Sequence, residues 1–447
     1  MAEPIITTGA PSAEELRGKF LLDPDVVFLN HGSFGACPAP VFDVYQHWQR
    51  ELERQPVAFI QRRQDDLIDA ARARLAAELN VRSDDLVFVP NATSGLNVFA
   101  RSLRLQSGDE VLATDHEYGA LNLTWNHLCQ QWGARYVQQA IPLPVTTPEA
   151  MVDTFWAGVT ARTRVIFLSH LTSPTALIFP VAEICRRARE AGIISIVDGA
   201  HAPGQIPVDL TAIGADVYSG NCHKWMCSPK GAAFLHVRPE YQEIVESLTV
   251  SWGWGEGFRP YDGTSRSQFV RRNQWQGTRD SASYLAVPAA LDFLEDHHWE
   301  AVRGRCHRQL KGVAAKIAEL TGLDPISPQT PDWFAQLGAI PLPPVDPLAL
   351  KARLYDEYQI EVPLTSHDGQ VAIRVSVQGY VTDADLDRLI EALDALLPEM
   401  AGASAASPIG APKARSRDRG GMAARTRIWR PDLRRRSPPK SHRRASQ

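Results

Sequence analysis

Between residues 85 and 237, short apolar runs alternate with stretches whose apolar residues recur at helical spacing. That alternation constrains the fold more than any other feature. Strands are expected over 86–90, 110–114, 165–169, 193–197, 215–218 and 232–237, and helices over 94–105, 121–132 and 181–191. The run 193–197 is β-branched and apolar apart from its serine, as suits a strand covered on both faces. Strands alternating with helices predict a parallel α/β sheet joined by crossovers. Ligands of such sheets bind beyond the carboxyl ends of the strands. Polar residues gather there: Asn91 to Gly95 after the first strand, His116 and Tyr118 after the second, and Asp198 after Val197.

At 447 residues the chain exceeds what one core usually supports. The expected division is an N-terminal arm (1–25), a large domain (26–286), a smaller C-terminal α+β domain (287–400) and a tail (401–447). The smaller domain reads as helices over 288–298, 301–321 and 348–359, a strand over 371–377 and a closing helix over 384–397. Proline-rich loops are expected at 325–331 and 341–347. The tail holds 13 Lys/Arg against two Asp, whereas the other 400 residues carry 34 basic and 49 acidic side chains, a net of −15. The tail reads as a solvated, disordered appendage; nucleic-acid binding is the alternative, disfavoured because Trp429 is its only aromatic residue. No apolar run reaches the ~20 residues of a membrane span, and no signal peptide is visible. Six scattered cysteines suggest reduced thiols and a cytoplasmic protein, with no metal site at ligand spacing.

Lys224 stands in Tyr218-Ser-Gly-Asn-Cys-His-Lys-Trp-Met-Cys-Ser-Pro-Lys-Gly231, bracketed by small and apolar residues, and Asp198 ends a buried strand 26 positions earlier. One cofactor needs both groups. Pyridoxal phosphate takes a lysine amine for its Schiff base and a carboxylate to keep its pyridine nitrogen protonated. Its phosphate suits a helix N-terminus, and Thr93, Ser94 and Gly95 lie where a strand should turn into a helix. Taken alone, that trio would be an ordinary N-cap, and Asp198 could simply cap the turn that follows it.

The strings Ile196-Val-Asp-Gly-Ala-His201, Ala215-Asp-Val-Tyr-Ser-Gly-Asn-Cys-His-Lys224 and Ser228-Pro-Lys-Gly231 resemble the class V aminotransferase group of fold-type I PLP enzymes. Phe28-Leu-Asn-His-Gly-Ser-Phe-Gly35, Asn91-Ala-Thr-Ser-Gly-Leu-Asn97, Asp115-His-Glu-Tyr-Gly119 and Gln276-Gly-Thr-Arg279 look most like its isopenicillin N epimerase-like branch. The resemblance covers roughly 20–400. It implies Lys224 as the Schiff-base lysine, Asp198 as partner of the pyridine nitrogen, and His201 near the ring oxygen. Thr93, Ser94 and His223 would hold the phosphate, with Asn221 standing where the family often has serine. Gly277 and Thr278 would reach the phosphate of the neighbouring subunit, which implies a homodimer with shared active sites. Arg374 would clamp the α-carboxylate of an amino-acid substrate, with Asn30 and His31 lining its pocket. Either His116 or Tyr118 would stack on the cofactor. Phe34, Trp252, Trp254 and Phe258 are expected to build part of the pocket, with the interleaved Gly253, Gly255 and Gly257 suggesting a mobile aromatic loop; ordinary interface packing is the alternative.

The implied activity is an epimerase or racemase acting at Cα of an amino acid or aminoacyl side chain. A PLP-dependent C–S lyase, a transaminase and a PLP-fold binding module without turnover are the alternatives. Residues 307–374 contain no cysteine, which disfavours sulfur transfer through a persulfide.

Overall fold

A computed structural model describes residues 9–255 and 266–405, all of them within one compact unit. The basic tail beyond 405, the first eight residues of the arm, and Gly257 and Phe258 of the aromatic loop lie outside the described residues. The main sheet has seven strands in the order Leu86–Val89, Ala233–Val237, Val217–Asn221, Ile194–Gly199, Thr163–Ser169, Glu110–Thr114 and Arg135–Gln139. All run the same way except Ala233–Val237, which is antiparallel to both its neighbours. The sheet is thus mostly parallel, as expected, with one antiparallel strand inside it. The segment 222–232, which carries Lys224, is shorter than the dozen or more residues a crossover takes, so the chain turns straight back.

The strand Thr163–Ser169 shows why the apolar runs were legible. Ile166 and Leu168 enter one core, Val165 and Phe167 the other, and all four are buried. On one face lie the helices Ala92–Ser102 and Gly119–Trp132, which bring Leu96, Phe99, Leu121 and Trp125 to the sheet. On the other lies Val181–Glu190 with Val181, Ile184 and Cys185. Each such buried side chain contributes about 1.5–3 kcal/mol.

A smaller antiparallel sheet, in the order Leu364–His367, Gln370–Ser376 and Leu337–Pro341, carries Arg374 on its central strand. Val27–Phe28 pairs in parallel with Ile360–Glu361, and Ser376 N–H donates to the Leu29 carbonyl, so the start of the chain is stitched to this later part. The helix Val287–Asp296 packs on Ala39–Arg54 and Gln64–Glu78; it is the next helix, Trp299–Thr321, that meets the smaller sheet.

Candidate active site

The carboxyl ends of the parallel strands converge as expected, and the lysine turn sits among them. His201 Nε2 lies 3.1 Å from Lys224 Nζ. Burial, reinforced by the nearby Arg374 guanidinium, pulls the amine down to about 7, while Asp198 opposes the shift. The lysine can therefore be a neutral nucleophile or base near pH 7, which an ordinary lysine is not. Asp198 is buried at the end of Ile194–Gly199. One oxygen accepts the Ala200 N–H at 2.9 Å; the other has no partner among the described residues. Burial pushes this carboxyl up to about 6, against the pull of Ala200 N–H and Lys224. A cation beside its open oxygen would restore the charge.

Glycine permits the turn to pack so closely. Gly35 has φ +70°, and a Cβ there would collide with the His223 carbonyl and press on Lys224 Cα. That brings the segment from Asn30 to Gly35 against the lysine turn, and Lys230 Nζ reaches back to the Gly35 carbonyl at 2.9 Å.

The helix Ala92–Ser102 opens at the same edge. Asn91 caps it by accepting Ser94 N–H at 2.8 Å, and Asn221 Oδ1 accepts Ala92 N–H at 2.9 Å. The Thr93 N–H and both the Thr93 and Ser94 hydroxyls keep no partner among the described residues, so this end still offers donors to an anion. His223 Nδ1 donates to the Ala232 carbonyl at 3.1 Å, leaving Nε2 free. Gly277, at φ +108°, and Thr278 stand on a surface loop, with Thr278 exposed.

Arg374 completes the set. It is 6% exposed. One terminal nitrogen donates to Ser173 O (2.7 Å) and Ser173 Oγ (3.1 Å), the other to Ser33 Oγ (3.0 Å), and Nε is buried without a partner. No carboxylate pairs with it among the described residues. An arginine fork buried beside a lysine amine is a receptor for an anion.

Several expectations need correction. His31 does not line a pocket: it is fully buried, donating Nε2–H to the Lys224 carbonyl at 3.0 Å and accepting from Tyr380 Oη at 3.0 Å. It supports the lysine turn from behind. Asn30 is buried too, its amide donating to Glu361 at 2.8 Å while Oδ1 is left unpaired. His116 is not available for stacking. It is buried, donates Nε2–H to the Ile141 carbonyl (2.9 Å) and shares Nδ1 with Thr175 (2.8 Å), with its ring against His367. Tyr118 is 43% exposed and lies within electrostatic range of Arg374. Gly95 serves helix packing: a Cβ there would strike Ser219 and Val89, and its N–H is already bonded to the Asn91 carbonyl. Asn221 meets the helix as an acceptor, with its amide nitrogen still open. Trp254 is pinned, its indole donating to Ser247 (2.8 Å) with Arg272 over its ring, which argues against mobility at that point.

Asp115, His116 and His367 bring three ligand-type atoms within 4.8 Å of one another. Since His116 has both nitrogens committed, the cluster ties the hairpin of the smaller sheet to the main one and offers a metal little. A cavity of about 840 Å³ beyond Met226, lined by Glu78, Pro203, Leu291 and Arg303 among others, contains none of the residues above. Ser33, Ser173 and Glu117 went unremarked in the sequence. Ser173 follows the strand Thr163–Ser169, so its place at a carboxyl end was the signal that could have found it.

These residues suit pyridoxal phosphate: an open Asp198 oxygen for a ring N–H, free donors at a helix start for a phosphate, and a depressed lysine amine between them. The family model for class-V aminotransferases matches residues 36–389. The chain belongs to that family. Class-V enzymes use PLP and act on amino-acid substrates. Isopenicillin N epimerase of Streptomyces clavuligerus is 35% identical over 397 residues, covering 86% of this chain and 98% of that protein. A putative L-cysteine desulfhydrase 1 of Oryza sativa subsp. japonica is 28% identical over 433 residues, covering 87% of each. A solved C-DES mutant with glycine covalently linked to its PLP cofactor superposes with a TM-score of 0.74 at 20% identity, covering 86% of this chain and 99% of that one. The fold is accordingly that of fold-type I PLP enzymes. Among the described residues no helix is long and apolar enough to cross a membrane.

Proposed function

We propose that the chain is a PLP-dependent epimerase or racemase that inverts Cα of an amino acid or aminoacyl side chain. The observation that carries a Cα-acting reading is Arg374, a buried guanidinium with an orphan Nε and no carboxylate partner, set close enough to Lys224 to depress its amine. When bound, pyridoxal phosphate supplies an electron sink that acidifies the substrate Cα–H. Lys224 would hold the resting cofactor and, once the substrate amine has displaced it, would take that proton as a free neutral amine. Asp198 would pair with the ring nitrogen, and His201, beside Lys224, would serve the ring oxygen. Thr93, Ser94, Asn221 and His223 would hold the phosphate, and Tyr118 rather than His116 would cover the cofactor. Arg374 fixes the α-carboxylate, which sets the Cα–H toward the lysine. Gly277 and Thr278 serve the neighbouring subunit of a homodimer. A cytoplasmic location fits six buried, unpaired cysteines.

Inversion is favoured over elimination by the 35% identity to isopenicillin N epimerase. The desulfhydrase relatives support a C–S lyase as the second reading. Incubating amino acids and cysteine conjugates with enzyme in deuterated water separates the two. Deuterium at Cα with loss of optical purity is expected; pyruvate and ammonia release without racemisation would replace this reading with the lyase.

A further inference from the structure

Glu117 is a buried acid that the reaction above does not use. It lies in the turn after Glu110–Thr114 and is 4% exposed. Oε1 accepts from Thr114 Oγ1 and Oε2 from Ser169 Oγ, both at 2.6 Å. Every one of these partners donates, which is how a protein solvates an ionised carboxylate. No lysine or arginine pairs with Glu117 among the described residues. Ser169 is the register partner of Asp198 across adjacent parallel strands, so the two side chains leave the same face of the sheet.

Glu117 is thus held on the strand beside the one that carries Asp198, and both carboxyl groups are buried. The titratable groups facing Glu117 are Asp198 from the strand Ile194–Gly199 and Tyr136 from Arg135–Gln139, the latter donating its hydroxyl to Asn122 at 2.6 Å. Lys224 lies close enough to Asp198 to favour its ionised form. Burial first, and then the charge of Asp198, push the Glu117 carboxyl up to about 7.

Resting on the PLP reading, we propose that Glu117 is a positioning residue that acts through Asp198, the two carboxylates together matching one protonated ring nitrogen. Asp198 would touch the ring, and Glu117, held by Thr114 and Ser169, would add a second negative charge behind it. The cofactor would then be a better electron sink than Asp198 alone could make it.

The test uses purified holoprotein and the pH titration of its visible cofactor band. Glu117→Gln, nearly isosteric, should keep the band but move its midpoint down by about one pH unit. It should also lower kcat several-fold with KM little changed, and Glu117→Asp should recover most of both. A purely structural role would not move the midpoint. Ser169→Ala removes a donor and leaves the charge; it should shift the midpoint in the same direction by less, and it decides the matter if Glu117→Gln does not fold. An unchanged midpoint in the folded variants overturns the proposal while leaving the PLP reading intact. A wild-type protein with no cofactor band overturns the PLP reading itself, and the proposal with it.

Discussion

Arg374→Met removes the proposed carboxylate clamp and leaves a side chain of similar length. In the native site the guanidinium is 6% exposed, stays cationic with burial drawing it down only to about 10, and is held by Ser33 and Ser173 with no carboxylate partner. A hydrogen bond to a charged group contributes about 1.5–3 kcal/mol, and truncating one side of a buried charge pair costs about 2–5 kcal/mol. Taking about 3 kcal/mol, kcat/KM should fall by roughly two orders of magnitude. The assay is Cα deuterium exchange on an amino acid and on its α-carboxamide. The acid should suffer the full loss and the amide, which has no charge to lose, about tenfold or less. Arg374→Lys keeps the charge without the fork and should fall between. Arg374 also helps depress the Lys224 amine, so the acid limb of the pH profile should move to higher pH in the methionine variant. Equal losses on acid and amide would refute the clamp.

Loading of apo-protein with cofactor should depend on pH through Lys224. Its folded pKa is lowered, so the reactive neutral amine is formed as pH rises through about 7; stopped-flow uptake rates should level off above that pH instead of climbing toward ~10, the range of an unperturbed lysine. Asp198→Asn should retain bound cofactor yet lower kcat by about 10²–10³-fold, measured by Cα exchange, because a neutral amide cannot balance a protonated ring. Gly35→Ala should cost about 2–3 kcal/mol in urea unfolding, since the new Cβ meets the His223 carbonyl at a φ of +70°.

Strands buried on both faces announced themselves as apolar runs, and six of the seven in the main sheet were readable in that way. The exception, Arg135–Gln139, is an edge strand with no buried residue and a single aliphatic side chain, Val137. It lacks the signal because it lacks the burial. Leu337–Pro341 ends at a proline expected to open a loop, which masked it. At the site, Lys224 and Asp198 stood out as candidates because each residue type answers a particular part of one cofactor, whereas Arg374 was expected only through the family resemblance. Side-chain direction was not. His31 and His116 lie in the right segments, yet tertiary hydrogen bonds to Tyr380, Lys224, Thr175 and Ile141 turn both into the core. Contacts made across hundreds of residues, as between Arg374 and Ser33, leave no periodicity to read.

The central claim is that this chain holds pyridoxal phosphate on Lys224. Borohydride reduction of purified protein, followed by peptide mass spectrometry, tests it directly. A phosphopyridoxyl group on Lys224, absent from Lys224→Ala along with the visible band, is the expected result. A protein that carries no such group after incubation with the cofactor, or carries it reproducibly on another lysine, would contradict the account.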